Sequence, residues 1–351
     1  MTFERRKTRK IKVGNTFIGG DSTVKIQSML NIPAENIEGN AAQAKALESA
    51  GCEIIRTALP SMENIGLIEA LKKAVQIPVV ADIHFDYRLA LAAVDAGADK
   101  IRINPGNIGD RDRIKAVADK CKIAGVPIRI GVNSGSVEKE LLAKFGGPTP
   151  EALAESAMKN ARLLEQFDFN DIVISIKSSD VRNTYAANLR VAEMCDYPLH
   201  LGVTEAGTEL SSAVKSSAAL GALLLRGVGD TVRVSITGDP KREIVCAKAL
   251  LKSLGLKNDG VTLVSCPTCG RTKIDLVSLA NAVEQRLENC GKTVKVAVMG
   301  CVVNGPGEAK EADIGVAGGD GCGVIFRKGE IIKKVPEEQL LSELMSEIDK
   351  L

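Results

Sequence analysis

The segment that decides the fold spans residues 100–133. It reads Lys100-Ile101-Arg102-Ile103, then a longer stretch from Asp110 to Ala124, then Pro127-Ile128-Arg129-Ile130-Gly131-Val132. The two short runs alternate apolar and polar side chains, which is typical of β-strands. The longer stretch has the length and pattern of a helix. A strand, a helix and a second strand in succession predict a parallel pair of strands.

The same strand-then-helix unit recurs from Val24 to Leu254. The predicted strands are Val24–Met29, Glu53–Thr57, Pro78–Ile83, Lys100–Ile103, Pro127–Val132, Asp171–Ile176, Leu199–Val203 and Thr231–Ile236. The predicted helices are Ala41–Ala50, Ile65–Val75, Leu89–Ala96, Asp110–Ala124, Pro150–Phe167, Tyr185–Met194, Ala213–Leu225 and Lys241–Leu254. Eight such units predict an α/β fold, a closed (β/α)8 barrel of the TIM type, more than an open doubly wound sheet. The absence of a Gly-x-Gly-x-x-Gly turn after the first strand disfavours a dinucleotide-binding fold.

Shorter segments flank the barrel. A basic lead-in and a hairpin turning at Ile18-Gly19-Gly20 are predicted before it. After Gly255 the pattern changes, and we expect two domains, residues 1–257 and 258–351. The second is predicted to be a small α+β domain with helix Lys273–Asn289, strand Val294–Met299, strand Ala312–Val316, a hairpin over Gly323–Val335 turning at Arg327–Glu330, and closing helix Pro336–Asp349.

The composition disfavours several classes of function. The net charge is +2 and aromatic residues make up 3% of the chain, so we expect no nucleic-acid binding. The run from Arg5 to Lys10 is interpreted as a solvated arm. No apolar stretch reaches the length of a membrane span, and the N-terminus lacks the apolar core of a signal peptide. We therefore expect a cytoplasmic protein with no membrane association, in which nine cysteines are not a disulfide framework.

The polar faces of the strands predict a pocket inside the barrel. Side chains alternate across a strand, so Ile101 and Ile103 share one face while Arg102 and Asn104 share the other. The aliphatic faces meet the helices, which leaves the polar faces lining the interior near the carboxyl ends of the strands, where barrel active sites lie. The inward side chains predicted in this way include Arg56, Asp82, His84, Arg102, Asn104, Arg129, Asn133, Ser175, Lys177, His200, Arg233 and Ser235.

The charge of this pocket indicates its ligand. Five cations converge with Asp82 as the nearest counter-charge, and buried cations without partners are costly. A multiply anionic ligand is expected, and guanidinium forks suit phosphate oxygens. A small diphosphate or bisphosphate fits. The two histidines of the chain, His84 and His200, both fall in this set, which favours a role in substrate binding or proton transfer.

The cysteines of the second domain indicate a metal centre. Cys266 and Cys269 form a Cys-x2-Cys clip, Cys301 adds a third thiolate, and Glu308 adds a carboxylate. The set is compatible with zinc or with an iron–sulfur cluster, and the spacing favours iron–sulfur. A carboxylate in the fourth position would leave one iron exchangeable. Cys322 is predicted to lie near the centre without being a ligand.

Four motifs carry a family resemblance. They are Ala81-Asp82-Ile83-His84-Phe85-Asp86-Tyr87-Arg88-Leu89-Ala90, Lys100-Ile101-Arg102-Ile103-Asn104-Pro105-Gly106-Asn107, His200-Leu201-Gly202-Val203-Thr204-Glu205-Ala206-Gly207 and Val298-Met299-Gly300-Cys301-Val302-Val303-Asn304-Gly305-Pro306-Gly307-Glu308. The chain resembles the 4-hydroxy-3-methylbut-2-enyl diphosphate synthase family (IspG, also called GcpE), in its two-domain bacterial form. The resemblance runs from about Arg9 to the C-terminus. One departure is Leu30, where the family pattern has Thr.

The resemblance implies a reaction and a cofactor. The reaction is reductive ring opening and dehydroxylation of 2-C-methyl-D-erythritol 2,4-cyclodiphosphate, giving 4-hydroxy-3-methylbut-2-enyl diphosphate in the non-mevalonate isoprenoid route. A [4Fe–4S] cluster held by Cys266, Cys269, Cys301 and Glu308 would pass on two electrons from flavodoxin or ferredoxin. A homodimer is implied, in which the cluster domain of one chain caps the barrel of the other.

It also implies roles for the barrel residues. Asp82, His84 and His200 would position the carbon end of the substrate, and Glu205 would give a proton to the leaving hydroxyl. A diphosphate clamp would be formed by Arg56, Arg102, Arg129, Lys177 and Arg233, with Asn104, Asn133, Ser175 and Ser235 as further hydrogen-bond donors.

Two other interpretations remain. One is a zinc-containing barrel enzyme in the style of dihydropteroate synthase, acting on a pterin or another phosphorylated substrate. The other is an electron shuttle or scaffold that carries a cluster without catalysis, which would leave the inward arginines unexplained.

Overall fold

The computed structural model describes residues 4–257, 260–287, 290–302, 307 and 309–351. Contacts within the chain divide it into two compact units, Met1–Leu256 and Lys257–Leu351. Each unit has its own apolar core.

The first unit opens with an antiparallel hairpin of β1 (Ile11–Val13) and β2 (Thr16–Ile18). The predicted turn at Ile18–Gly20 is wrong, because the chain reverses at Gly14-Asn15, where Gly14 has a φ of +56°. A positive φ suits glycine, which has no Cβ to clash with the backbone. The hairpin buries Ile11, Val13 and Ile18 against barrel residues of the strands described next.

Eight parallel strands follow and confirm the predicted TIM-type barrel. They are β3 (Lys25–Met29), β4 (Ile54–Ala58), β5 (Val79–Asp82), β6 (Lys100–Ile103), β7 (Ile128–Asn133), β8 (Ile172–Lys177), β9 (His200–Leu201) and β10 (Thr231–Val232). Neighbours pair in chain order from β3 to β8, and β10 pairs with both β9 and β3. A bridge between Ile174 and Leu199 joins β8 to the start of β9 and completes the ring.

The helices alternate with the strands. They are α1 (Ile37–Ser49), α2 (Gly66–Ala74), α3 (Tyr87–Asp95), α4 (Pro105–Ile108), α5 (Arg111–Ala124), α6 (Lys139–Phe145), α7 (Pro150–Glu165), α8 (Val181–Met194), α9 (Glu209–Leu225) and α10 (Pro240–Ser253). Several begin at a side-chain cap: Asn36, Asp86, Asp110, Asp180 and Asp239 each accept a backbone N–H of the first turn. These caps explain why α1 and α8 begin earlier than the apolar pattern predicted. The short helices α4 and α6 were not predicted.

Strands β9 and β10 are two residues long, shorter than predicted. For β10, the backbone that follows the strand bonds to side chains instead. The Ile236 amide donates to the Glu243 carboxylate at 3.2 Å, and the Ser235 carbonyl accepts from the Ser212 hydroxyl at 2.7 Å. Side chains of α9 and α10 thus take the bonds that a longer ladder would have used.

The second unit is an α+β layer, as predicted. Its sheet has the order β11 (Thr262–Ser265), β12 (Lys295–Met299), β13 (Ile314–Gly318), β14 (Cys322–Arg327) and β15 (Glu330–Pro336). The first three strands are parallel and the last two pairings are antiparallel. Helices α11 (Leu276–Leu287) and α12 (Leu340–Asp349) pack against the sheet. Strand β11 was not predicted.

Candidate functional site

The barrel interior is charged at the carboxyl ends of the strands. Arg102 and Arg129 are neighbours in register on β6 and β7, and Asn133 pairs with Lys177 across β7 and β8. Arg102, Arg129 and Lys177 are buried. The aliphatic residues between them, such as Ile101 and Ile130, belong to the core shared with the helices. The alternation of the strands therefore directs the charged side chains inward.

The carboxylate of Asp82, at the end of β5, lies close to three basic side chains. Its carboxylate accepts from Arg102 Nη1 at 3.2 Å, and it lies 3.7 Å from Arg56 Nε and 3.5 Å from His84 Nε2. Burial raises the pKa of Asp82, but Arg56, the hydrogen bond to His84 and Arg102 outweigh it, so the net pKa lies well below its usual range. Asp82 is therefore ionised at neutral pH and holds two guanidinium groups in place.

Arg129 carries a charge with few partners. It is 0% exposed, and Nη1 donates to Gln27 Oε1 at 3.3 Å. Its Nε and Nη2 have no hydrogen-bond partner among the described residues. Burial, followed by repulsion from Arg56 and Arg102, drives the pKa of Arg129 well below its ordinary value. Unpaired buried N–H groups of this kind fit an acceptor that arrives from outside the protein.

Arg233, beyond β10, is paired. It forms a double hydrogen bond with Glu243 of α10, with Nε and Nη2 at 3.2 and 3.1 Å from the two carboxylate oxygens. The Glu243 carboxylate also accepts from the Ser28 hydroxyl at 2.8 Å. The sequence had indicated Asp82 as the counter-charge and missed Glu243, which lies on a helix outside the strand pattern.

Gly131 makes room for Arg102. A Cβ at Gly131 would collide with the Arg102 guanidinium, which also approaches the Gly131 carbonyl at 3.4 Å. With a Cβ at position 131, the Arg102 side chain would have to leave its present place beside Asp82. A glycine at this position is therefore required for the arginine to lie across β7.

The uncharged candidates have structural bonds as well. Asn104 Oδ1 caps α4 by accepting from the Gly106 amide at 3.2 Å, which leaves its buried Nδ2 without a partner among the described residues. The Ser175 hydroxyl donates to the Ile130 carbonyl at 3.2 Å. Asn133 and Ser235 are half-buried.

The remaining candidates differ in exposure. His200 is fully buried, with Nδ1 at 2.8 Å from the Thr231 hydroxyl, while Nε2 has no partner in the part of the chain that the structure describes. Burial and then Arg129 drive the pKa of His200 well below its ordinary value, so the ring is neutral. His84 and Glu205 are exposed. Glu205 has a φ of +52°, a region that side chains other than glycine seldom adopt.

Two further side chains lie in the interior, and one of them, Lys100, was missed from the sequence. Lys100 begins β6 and shares the face of Arg102, and it is 0% exposed with no partner for Nζ in the described chain. Gln27 on β3 is buried beside Arg129. The inward parity of Lys100, two residues before Arg102, was the signal that could have found it. With Lys100, six basic side chains of the interior face the carboxylates Asp82 and Glu243, so the barrel can bind an anion.

The cysteine loops belong to the second unit. The Gly300 amide donates to the Cys266 thiol at 3.2 Å, and the Lys273 amide donates to the Gly300 carbonyl at 3.0 Å. These bonds hold the loop that follows β11 against the loop that carries Cys301. Backbone and side-chain hydrogen bonds from Arg271 lower the pKa of the exposed Cys269 thiol, which favours the thiolate.

The metal site itself is only partly described. Within the described part of the chain, no three His, Cys, Asp or Glu side chains are close enough together to hold a metal ion. Glu308, the predicted fourth ligand, lies outside the described residues. The donor set still fits an iron–sulfur cluster, because the two cysteine loops are bonded together and a backbone N–H already points at a sulfur. Separately, no described helix is both long and apolar enough to cross a membrane.

Solved structures resemble the barrel at low identity. A dihydropteroate synthase from Stenotrophomonas maltophilia, with imidazole in its active site, matches 71% of this chain and 100% of its own, with a TM-score of 0.53 and 15% identity. A dihydropteroate synthase from Xanthomonas albilineans in complex with 7,8-dihydropteroate matches 70% and 98%, with a TM-score of 0.51 and 14% identity. At these identities the likeness shows the fold alone.

Sequence relatives are much more similar. The 4-hydroxy-3-methylbut-2-en-1-yl diphosphate synthase (flavodoxin) of Clostridium perfringens is 55% identical over 98% of this chain and 99% of its own length. The enzyme of the same name from Caldanaerobacter subterraneus is 56% identical over 99% and 98%. The family model of the GcpE TIM-barrel domain matches residues 8–248, and that of the GcpE protein C-terminal domain matches residues 262–350. With both domain models matched and identity above one half over nearly the whole length, this chain belongs to the GcpE family.

Proposed function

We propose that this chain is a 4-hydroxy-3-methylbut-2-en-1-yl diphosphate synthase that acts on 2-C-methyl-D-erythritol 2,4-cyclodiphosphate. Two electrons and one proton enter the reaction. A ring C–O bond breaks and leaves the diphosphate on the other end of the carbon chain, a hydroxyl departs as water, and a C=C double bond forms. The names and near full-length identity of the relatives support this reaction for the chain.

The observation that carries the proposal is the set of unpaired donors inside the barrel. Arg129 Nε and Nη2, Arg102 Nε and Asn104 Nδ2 are buried without partners among the described residues. A cyclic diphosphate offers acceptor oxygens and negative charge to such donors. The likeness to dihydropteroate synthase is one of fold alone, and the relatives of high identity carry a different name, so the zinc-containing alternative gains no support.

In this proposal the cations clamp the diphosphate. Arg56 and Arg102 are already oriented by Asp82, and Arg233 by Glu243, so little reorganisation is needed when the anion enters. Arg129 contributes a guanidinium whose Nε and Nη2 lack partners in the described chain, and Lys177 on β8 contributes a further buried basic group. The further donors are Asn104, Asn133, Ser175 and Ser235.

The reducing centre is proposed to be a [4Fe–4S] cluster held by Cys266, Cys269, Cys301 and Glu308. Such a cluster, when bound, supplies single electrons and an iron with an exchangeable position. The chain's own contribution is to present thiolates and to donate a backbone N–H to the Cys266 sulfur, which stabilises negative charge there.

Other side chains would direct the substrate and its proton. Asp82, His84 and His200 are proposed to orient the carbon end, with His200 fixed through Thr231. Glu205 is proposed as the proton donor for the departing hydroxyl. Its exposed position after β9 leaves it accessible at the carboxyl end of the barrel.

The partners complete the proposal. Flavodoxin appears in the names of the relatives, and a flavodoxin or ferredoxin is proposed as the electron donor here. A homodimer in which one chain's cluster domain caps the other's barrel is also proposed. All nine cysteines are free thiols, which fits a cytoplasmic location.

Anaerobic conversion of the cyclodiphosphate with a chemical reductant tests the function. We expect the cluster-loaded chain to form the open diphosphate, identified by mass spectrometry. Cys266→Ser should abolish turnover, while Cys246→Ser, a partly buried barrel cysteine, should retain it. Equal loss in both variants, or no product from the unaltered chain, would rule the proposal out.

A further inference from the structure

Lys100 has no assigned role in the proposed reaction. It is the first residue of β6 and is 0% exposed, and Nζ has no hydrogen-bond acceptor among the described residues. It pairs in register with Val80, which packs with the hairpin that closes the lower end of the barrel. Lys100 therefore lies at the boundary between that apolar layer and the charged layer above it.

The groups around Lys100 are mostly cations. Arg129 on β7 and Arg56 on β4 repel it, and its chain neighbour Asp99 attracts it. The Asp99 carboxylate is already bound to Lys72 at 2.6 Å and to the Val79 amide at 2.8 Å. The other titratable groups that the structure describes in the interior are Asp82 on β5, Arg102 on β6, Lys177 on β8, His200 on β9, Arg233 after β10 and Glu243 on α10.

An ammonium group without a partner cannot persist at such a position. Burying an unpaired charge costs so much that the group gives up its proton instead. In agreement, burial and then Arg129 drive the pKa of Lys100 well below its ordinary value. A multiply charged anion between the arginines would reverse the sign of the nearby potential and restore the ammonium form.

We propose that Lys100 is a positioning residue at the floor of the anion site: it is a neutral amine in the ligand-free barrel and takes up one proton when the diphosphate enters. The inference rests on the proposed function for the identity of the anion. Proton uptake lets the site gain positive charge as the ligand arrives, without the cost of keeping that charge when the barrel is empty.

Calorimetric titration of the cluster-loaded chain tests this coupling. Each phosphorus of the cyclodiphosphate carries one ionised oxygen and no proton near neutral pH, so any uptake belongs to the protein. At about pH 8.5, in buffers of different protonation enthalpy, we expect about one more proton taken up per ligand by the unaltered chain than by Lys100→Met. The matched control is Lys25→Met, since Lys25 pairs with Glu53 at 3.2 Å, and it should behave as the unaltered chain does. Equal uptake in Lys100→Met and the unaltered chain would overturn the proposal.

A second measurement needs no substrate and separates this inference from the proposed function. Between the depressed pKa of the folded state and the ordinary pKa of about 10.4, the unfolded chain binds a proton at Lys100 and the folded chain does not. Stability must then rise with pH. From about pH 7.5 to 9.5, the unfolding equilibrium constant of the unaltered chain should fall about tenfold per pH unit relative to Lys100→Met. Parallel pH profiles would mean that Lys100 is charged throughout and would overturn the proposal. Lys100→Gln serves in both measurements if the Met variant does not fold.

Discussion

Replacing Arg129 by methionine should make the ligand-free protein more stable while it destroys affinity for the substrate. Arg129 is fully buried with two N–H positions unpaired, and each such group costs about 1–3 kcal/mol. The substitution relieves both and leaves Gln27 Oε1 without its donor, at a cost of about 1–3 kcal/mol. The net effect is an increase of roughly 1–3 kcal/mol in the free energy of unfolding, within the range seen when buried charges are replaced by apolar side chains.

The melting temperature reports this gain. For a unit of this size, about 1–3 kcal/mol corresponds to an increase of roughly 2–10 °C. The cost appears in binding, where two charge-assisted hydrogen bonds to the diphosphate are lost at about 1.5–3 kcal/mol each. That is a weakening of about 10²- to 10⁴-fold in the dissociation constant for the cyclodiphosphate.

Arg233→Met is the matched contrast. Its guanidinium is paired with Glu243, whose side chain is 4% exposed, so the substitution leaves a buried carboxylate without its partner. We expect a loss of about 3–5 kcal/mol in stability together with weaker binding. If Arg129→Met lowered the melting temperature as Arg233→Met does, the view of Arg129 as a residue kept for an incoming anion would be refuted.

Three further substitutions test other parts of the site. Asp82→Asn removes the carboxylate between Arg56 and Arg102 and should lower the free energy of unfolding by about 3–5 kcal/mol at neutral pH. Because the pKa of Asp82 is depressed in the folded state, its stabilisation is complete above about pH 4 and is lost progressively below it. The stabilities of the variant and the unaltered chain should therefore converge in acid titrations. Gly131→Ala places a methyl group against the Arg102 guanidinium and should raise KM at least tenfold, while equal kinetics would contradict the close approach. Glu308→Ala should keep iron and acid-labile sulfide but lose most turnover, and normal turnover would exclude Glu308 from the exchangeable position.

The barrel and its charged interior follow from the alternation of the strands. Period-two patterning sends Ile101 outward and Arg102 inward, and short apolar strands separated by helices permit few arrangements other than a parallel barrel. Lys100 escaped prediction because it lies at the first residue of its strand, where a polar side chain is easily taken for the end of a loop. Glu243 escaped because it reaches the interior from a helix, so no strand pattern contains it.

Tertiary bonds explain the other differences. After β10, the side chains of Ser212 and Glu243 form hydrogen bonds with the backbone, and the strand ends there. Bonds of this kind join residues far apart in the sequence, so no local sequence pattern predicts them. Strand β11 is half-exposed at the edge of its sheet and lacks a clear alternation, so parity could not detect it. The spacing of Cys266, Cys269, Cys301 and Glu308 predicted a metal centre, whereas the assignment of all four to a [4Fe–4S] cluster rests on the resemblance.

The stoichiometry of electrons to product tests whether this chain catalyses the two-electron reduction of the cyclodiphosphate. A reduced flavodoxin of known concentration is titrated anaerobically into the cluster-loaded chain with excess cyclodiphosphate, and the open diphosphate is quantified. The account predicts two electrons consumed for each molecule of product, with no product before reductant is added. Product formed without reductant, or flavodoxin oxidised without product, would contradict it.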